Sequence, residues 1–219
     1  MGRRRRRIKP GLIRMGKRAA RAVVRIDRVV TRGGDGGETS LGDGARVRKD
    51  APRIEAIGAV DETNAAIGVV RAALAGAAVD ADAALARVQN DLFDLGADLA
   101  VPGDAGTRLR MTDVPVLRLE AEIATMLARV PALTSFVLPG GTAAAAAAHM
   151  ARTIARRAER AVVRLALDEP VTPAARHYLN RVSDHLFVLA RVLNDDGARD
   201  RLWVPGGAAT RSSRPETHP

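Results

Sequence analysis

A glycine-rich loop over residues 31–41 carries residue types that suit anion binding. Its four glycines can turn successive backbone N–H groups toward one point, where they hold an anion. Further donors would come from Thr31, Arg32, Thr39 and Ser40. The segment lacks the Gly-Lys-Ser/Thr of a Walker A loop and the alternating acidic ligands of an EF-hand. It predicts a phosphate-binding loop, and the alternative is an ordinary surface loop.

A row of arginines on a predicted helix is a second candidate anion site. Four of them recur at intervals of four residues and so share one helix face: Arg152, Arg156, Arg160 and Arg164. Adjacent like charges cost about a few tenths of a kcal/mol per pair in an isolated helix, and an anion or acidic partner would offset that cost. Glu159 could relieve one of them. The alternative is a solvated basic face.

Polar residues in the middle of the last predicted helix form a third candidate site. Asn180, Ser183 and Phe187 fall on one helix face, and an amide and a hydroxyl there indicate a buried site with hydrogen-bonding needs. The alternative is that Phe187 belongs to the core and Ser183 to a helix–helix contact. We expect His177 and His185 to be partly exposed. No Glu-x-x-His sequence occurs, so the histidines indicate no metal site.

Hydrophobic periodicity predicts five helices that would position these sites. Their expected bounds are about 52–74, with a cap at Asp50, then 79–100, a helix beginning at 112–115, one from 142 to 167, and a last one through 179–193. The third helix should turn five side chains inward: Val116, Leu119, Ile123, Met126 and Val130. No segment shows convincing alternation with period two. The predicted fold is an all-α five-helix bundle with a glycine-rich N-terminal arm.

Composition limits the class of protein. The absence of cysteine excludes disulfides, thiolate catalysis and Cys-ligated zinc or iron–sulfur centres. Apolar residues make up 47% of the chain but only one Trp, one Tyr and three Phe occur, so the core must consist of Ala, Leu, Val and Ile. No apolar run reaches the roughly 20 residues that span a bilayer. We expect a cytoplasmic protein without a membrane partner.

The basic charge of the chain is concentrated at its start. Ten of the 35 basic residues lie within the first 21 positions, and all 25 acidic residues follow them. We expect a disordered basic head over residues 1–25, one domain over 26–205, and a disordered tail over 206–219. Met15 could be the true start. A polybasic head can bind nucleic acid, but since the rest of the chain is neutral we expect no nucleic-acid partner.

Six segments, in order, resemble the ATP:corrinoid adenosyltransferases of the propanediol-utilisation type. They lie at residues 31–41, 53–64, 89–96, 136–141, 151–160 and 178–184, within a resemblance that covers about residues 26–205. Three positions depart from the family pattern. Arg32 stands where lysine is common, Gly36 where a polar residue is usual, and His185 where an aromatic is frequent.

The resemblance implies a homotrimer of five-helix bundles with active sites at the subunit interfaces. One subunit would line the ATP phosphates with Thr31, Arg32, Gly33, Gly34, Thr39, Ser40 and Lys49. The neighbouring subunit would contact ATP through Arg156, Arg157, Glu159, Arg160 and Asn180. The corrinoid pocket would be lined by Phe136, Ser183 and Phe187. Asp61 would pair with Arg156 across the interface, and these two residues with Phe136 would act in catalysis.

The implied reaction transfers the 5′-deoxyadenosyl group of ATP to the reduced cobalt(I) of cobalamin and releases triphosphate. Cobalt(I) is itself the nucleophile, which agrees with a chain that has no cysteine and no paired-carboxylate site. Mg²⁺ and the Arg/Lys cluster would hold the leaving group. Phe136 would press under the corrin and exclude the lower axial ligand of the cobalt.

The sequence also suggests possible partners and two alternative functions. A flavin-type reductant could supply electrons, and an adenosylcobalamin-dependent enzyme could take the product. One rival is a nucleic-acid-associated helical protein that uses the basic head. The other is a structural or regulatory helical oligomer that has lost catalytic activity. The presence of all the expected site residues argues against it: Asp61, Lys49, Arg156, Arg160 and Asn180.

Overall fold

A computed structural model describes residues 27–76, 78–103 and 106–206, with residues 27–32 forming a unit separate from the body that begins at Gly33. The predicted head over residues 1–25 and nearly all of the predicted tail lie outside the described residues. Within the described part of the chain, the elements are β1 (Glu38–Ser40), β2 (Arg46–Arg48), α1 (Pro52–Ala73), α2 (Val79–Leu99), α3 (Asp113–Leu127), α4 (Ala143–Asp168) and α5 (Pro173–Val192). The prediction of an all-α five-helix bundle is confirmed.

Helix α4 lies at the centre of the packing, between α1 and α5, while α2 packs on α1 and α3 packs on α5. One face of α4 is buried and almost entirely alanine: Ala144, Ala145, Ala148, Ala151, Ala155 and Ala158. Small side chains let the neighbouring helices approach closely, so the bundle reaches dense packing with few aromatic residues. The apolar stripe of α2 is fully buried: Leu85, Val88, Leu92, Leu95 and Leu99.

The ends of the helices only partly follow the sequence predictions. Asp50 does not cap α1, because its carboxylate pairs with Arg48 and Ala51 takes the cap position without a side-chain bond. In α3 only Val116 and Leu119 are buried, and the helix ends at Leu127, before Val130. The third helix is therefore shorter than its apolar pattern suggested.

The start of α4 is fixed by side-chain caps. Thr142 Oγ1 accepts a hydrogen bond from Ala145 N at 3.1 Å, and Asn194 Oδ1 accepts one from Thr142 N at 3.0 Å. A Cβ at Gly141 would lie 1.9 Å from Asn194 Oδ1, and the φ of Gly141 is +103°, so this position requires glycine. The loop that precedes α4 is thereby tied to the residues that follow α5.

A small antiparallel hairpin precedes α1, and the sequence did not predict it. Thr39 pairs with Val47 in its centre. The end of the hairpin is docked on the bundle, because Leu41 is buried and Gly42 N donates to Ala100 O at 2.8 Å. Each strand has three residues with a single half-buried side chain, which is too short for a period-two pattern to be recognised.

The prediction that His185 is partly exposed is wrong. His185 is 2% exposed and its Nε2 lies 3.0 Å from Glu122 Oε2, because it falls on the face of α5 that packs on α3. Glu122 also accepts from Arg87 Nη2 at 2.8 Å. His177 is exposed, whereas the next residue, Tyr178, is buried and its hydroxyl donates to Asp91 Oδ2 at 2.7 Å. A polar network thus joins α2, α3 and α5.

This network predicts an acid-sensitive contribution to stability. The hydrogen bond from His185, followed by that from Arg87, lowers the pKa of Glu122 to about 2. A carboxyl whose folded pKa is depressed stabilises the fold above its unfolded pKa, and this contribution disappears as the pH falls from about 4.5 toward 2. We expect Glu122→Gln to lower stability at pH 7 by about 1–2 kcal/mol, after allowance for solvent screening, and to flatten the acid limb. Thermal melts of both proteins between pH 7 and 3 measure this, and parallel pH profiles would contradict it.

A search of the described residues finds no helix that is long and apolar enough to cross a membrane.

Candidate active site

The glycine-rich segment and the hairpin place a cation over a tight turn. Gly37 N donates to Gly34 O at 3.2 Å, and Lys49 N donates to Gly37 O at 2.9 Å, so that β2 delivers Lys49 beside the turn. A Cβ at Gly34 would lie 2.9 Å from Lys49 Nζ. Glycine at position 34 therefore leaves room for the ammonium group against the loop backbone.

The other hairpin residues surround this turn. Arg46 Nη2 donates to Gly33 O at 2.9 Å and its Nη1 donates to Ser40 Oγ at 3.2 Å, which ties the loop to β1. Thr39 is half-buried in β1. Within the described residues Lys49 is exposed and makes no ion pair, so its charge is available to an anion.

Two predicted residues lie outside this body. Thr31 and Arg32 belong to the separately described unit and are exposed there, with Arg32 in the left-handed region at φ 60°. Their role at the phosphates stays a prediction.

A second polar cluster lies where α4 packs on α5. Glu159 Oε1 accepts from Asn180 Nδ2 at 2.9 Å, and Asn180 Oδ1 accepts from Arg181 Nη1 at 2.6 Å. Ser183 Oγ donates to the backbone oxygen of Asn180 at 2.9 Å. The amide of Asn180 is thus held between an acidic and a basic side chain, and the structure brings the predicted residues Glu159 and Asn180 together.

The arginine row of α4 is not uniform. Arg156, Arg160 and Arg164 are exposed and form no ion pair among the described residues, whereas Arg157 pairs with Glu62 of α1. Arg160 Nη1 donates to Arg156 O at 3.0 Å, which holds its side chain along the helix. Arg152 differs, because its Nε is buried without a hydrogen-bond partner, and burial together with Arg156 lowers its pKa.

The two candidate anion sets stay apart within one chain. No hydrogen bond or ion pair of the described residues joins Gly34 or Lys49 to Arg156, Arg160 or Asn180. Asp61 is exposed on α1 and, in the same part of the chain, has no ion-pair partner.

An open pocket of about 790 Å³ lies between the loop before α4, the middle of α5 and the segment after it. Eight residues line it: Leu133, Thr134, Ser135, Phe136, Phe187, Trp203, Val204 and Pro205. The Phe136 side chain is 78% exposed, which excludes it from the core. The structure therefore brings Phe136 and Phe187 to one apolar pocket. Ser183 is 2% exposed and is not among the lining residues, so its contact with a corrinoid stays a prediction.

Sequence reasoning missed two residues around this pocket. His149 is buried on α4, edge-on to Phe187 with ring centroids 6.2 Å apart, and neither ring nitrogen has a hydrogen-bond partner. Burial and nearby Arg152 lower the pKa of His149, so it packs behind Phe187 as a neutral ring. Trp203 forms part of the wall. The sequence could have drawn attention to Trp203 because it is the single tryptophan of a chain that has few aromatic residues.

The described residues contain no group of three or more acidic or histidine side chains that could hold a metal ion. The donors of both anion sets are instead cationic, amide or hydroxyl groups. Mg²⁺ commonly binds through substrate phosphates and keeps several waters. The donor set thus suits a magnesium ion that arrives on a nucleotide rather than one held by a protein cage.

Proteins with a similar sequence are named cobalamin or corrinoid adenosyltransferases. Residues 29–193 match the family model for cobalamin adenosyltransferase. A cobalamin adenosyltransferase of Cupriavidus metallidurans is 49% identical over 180 residues, which are 82% of this chain and 95% of that protein. A corrinoid adenosyltransferase of Mycobacterium tuberculosis is 46% identical over 197 residues, 86% of this chain and 99% of that protein.

A solved structure agrees with the sequence comparison. It is a phenylalanine-to-histidine variant of a PduO-type ATP:corrinoid adenosyltransferase from Lactobacillus reuteri, complexed with cobalamin and ATP. The TM-score is 0.77 at 35% identity, and the match covers 80% of this chain and 96% of that one. The chain therefore belongs to the cobalamin adenosyltransferase family.

Proposed function

We propose that the protein transfers the 5′-deoxyadenosyl group of ATP to the cobalt(I) centre of reduced cobalamin. Cobalt(I) attacks the 5′ carbon, the bond from that carbon to the phosphate oxygen breaks, and triphosphate leaves with the electron pair. The observation that carries the proposal is the presence of exposed cations without ion pairs in both anion sets of the described chain, at Lys49, Arg156 and Arg160. They suit a leaving group of several negative charges.

The protein's task in this reaction is to bind and orient. Lys49 and the loop at Gly33 and Gly34 bind the phosphates on one side, while Arg156, Arg157 and Arg160 bind them on the other. Glu159 and Asn180 hold the nucleotide near them, with Mg²⁺ entering on the phosphates. Because cobalt(I) is the nucleophile, the chain needs to supply neither a nucleophile nor a base. It lowers the barrier by holding the two substrates in reacting geometry.

Phe136 has a separate role in this proposal. Its exposed ring would lie under the corrin and occupy the space that the lower axial ligand takes on cobalt. Cobalt without that ligand is four-coordinate and more easily reduced. The open, apolar pocket shared by Phe136 and Phe187 supports this placement.

The site would be completed in a homotrimer. Asp61 would pair with Arg156 of the partner subunit, which agrees with the exposure of both residues in the single chain. An apolar groove of about 250 Å³ between α1 and α4 supports contact at this face, with Val69 62% and Met150 66% exposed beside it. Glu62, next to Asp61, lines the same groove.

Asp61→Ala should therefore weaken both assembly and turnover. Removal of one partner leaves the partner subunit's Arg156 uncompensated, which costs roughly 3–5 kcal/mol where the pair is fully desolvated and less where water reaches it. We expect loss of trimer by light scattering at low micromolar protein, with turnover falling at least about tenfold. Asp80→Ala, which removes an exposed carboxylate on α2 that does not line this groove, is the control and should change neither. A wild-type monomer with full activity would contradict the proposal.

We place the reaction in the cytoplasm, where ATP is abundant, with a flavin-type reductant as electron source and an adenosylcobalamin-dependent enzyme as receiver of the product.

The direct test of the proposed function is incubation of the purified protein with reduced cobalamin and Mg-ATP, followed by the absorbance of the cobalt–carbon product.

A further inference from the structure

The segment after α5 returns to the loop that carries Phe136. We call residues 201–205 the C-terminal strap. Trp203 N donates to Phe136 O at 2.7 Å, and Leu138 N donates to Arg201 O at 2.8 Å, on either side of an antiparallel bridge between residues 137 and 202. Ser135 Oγ adds a hydrogen bond to Trp203 O at 2.7 Å. The strap therefore fixes the backbone of Phe136 from both sides.

The strap also contacts the Phe136 ring. The ring centroids of Phe136 and Trp203 lie 6.1 Å apart and their planes are inclined by 53°. Tilted aromatic pairs at such separations attract one another beyond simple burial. Since the Phe136 side chain is 78% exposed, few other contacts restrict its rotamer. Trp203 is thus a main restraint on where that ring points.

The strap is itself anchored in the bundle. Arg191 at the end of α5 pairs with Asp200 at 2.8 Å, and both side chains are only 4% exposed. Asn194 Nδ2 donates to Asp200 Oδ1 and to Gly140 O, both at 3.2 Å. A buried, hydrogen-bonded pair of this kind is rigid, because separating it leaves a desolvated charge. The anchor places Trp203 at a fixed distance from the Phe136 loop.

We propose that Trp203 is a positioning residue that holds the Phe136 ring in its place under the corrin. This inference rests on the proposed function and goes beyond it by assigning a role to the strap. Without the indole, the Phe136 ring samples other rotamers, and the lower ligand of cobalamin competes for the vacated space. The effect should therefore depend on the corrinoid, and it should act entirely through Phe136.

The test is a double-mutant cycle with two corrinoids. Trp203→Ala should lower the rate of adenosylcobalamin formation from cobalt(II) cobalamin, with a reductant present, by about two- to tenfold, the range expected for loss of one aromatic pair. The loss should be much smaller with cobinamide, which has no lower base. In the Phe136→Ala background, the further change Trp203→Ala should have no effect on either rate. Trp203→Phe, which keeps an aromatic ring, should recover most of the rate.

A control variant in the strap distinguishes the effect of the indole ring from that of the strap's backbone hydrogen bonds. Leu202→Ala keeps every hydrogen bond of the strap backbone and should match the wild type. ATP affinity should be unchanged in Trp203→Ala, and the melting temperature should fall only modestly, since the indole is partly exposed. Losses that multiply in the Phe136→Ala background, or equal losses with both corrinoids, would overturn the inference. A wild-type protein without turnover would instead contradict the proposed function, which the same series measures first.

Discussion

Arg160→Ala should lose most of the adenosyl-transfer activity while the protein stays folded. Arg160 is exposed, pairs with no carboxylate in the described chain, and is held along α4 by its bond to Arg156 O. A charge-assisted hydrogen bond to phosphate is worth about 1.5–3 kcal/mol, which corresponds to roughly a 10- to 150-fold change. We expect weaker ATP binding by calorimetry and lower turnover of about this size.

The matched control for this variant is Arg164→Ala, the next arginine of the same row, which lies outside the proposed site. It should bind ATP and turn over within about twofold of the wild type, because exposed surface charges contribute little at a distance. Equal effects of the two substitutions would show that the row acts as a general basic surface. Unchanged affinity and turnover in a folded Arg160→Ala protein would remove Arg160 from the site.

Phe136→Ala should separate two corrinoids that differ in their lower base. With cobalt(II) cobalamin and a reductant, the rate should fall by at least about tenfold, or about 1.4 kcal/mol, because the lower base then stays on cobalt and hinders its reduction. With cobinamide the loss should be much smaller, because there is no base to exclude. The melting temperature should hardly change, since the ring is 78% exposed, whereas a core phenylalanine would cost about 3–5 kcal/mol.

The control is Phe93→Ala. Phe93 is 70% exposed on α2, so that it matches Phe136 in type and exposure without lining the pocket. Its substitution should leave both rates and ATP affinity unchanged. Equal losses for cobalamin and cobinamide in Phe136→Ala would contradict the proposed exclusion of the lower base by this ring.

The helices could be predicted because their signals are local. The stripe from Leu85 to Leu99 has the period of a helix, and the predicted start of α4 at 142 is where Thr142 caps the helix. The family resemblance, and no local pattern, assigned Glu159 and Asn180 to one site, and the structure brings their side chains together. The resemblance assigned Phe136 to a place under the corrin, and the exposure of its ring agrees with this.

The features that the sequence did not reveal depend on contacts between distant segments. The burial of His185 depends on Glu122, 63 residues away. Trp203 is positioned by a backbone hydrogen bond to Phe136, 67 residues earlier, and no local sequence pattern predicts such a contact. The hairpin has too few residues per strand for periodicity to show. Long-range pairing decides these features, and it becomes visible only in the folded chain.

Adenosyl transfer itself is the most direct measurement of the account. The purified full chain is mixed with chemically reduced cobalamin and Mg-ATP, and absorbance of the cobalt–carbon product is followed together with released triphosphate. We predict one triphosphate per adenosylcobalamin, and a rate that falls in Arg160→Ala but not in Arg164→Ala. A folded protein that binds neither substrate, or binds both and forms no cobalt–carbon product, would contradict the account and favour a structural or regulatory helical oligomer.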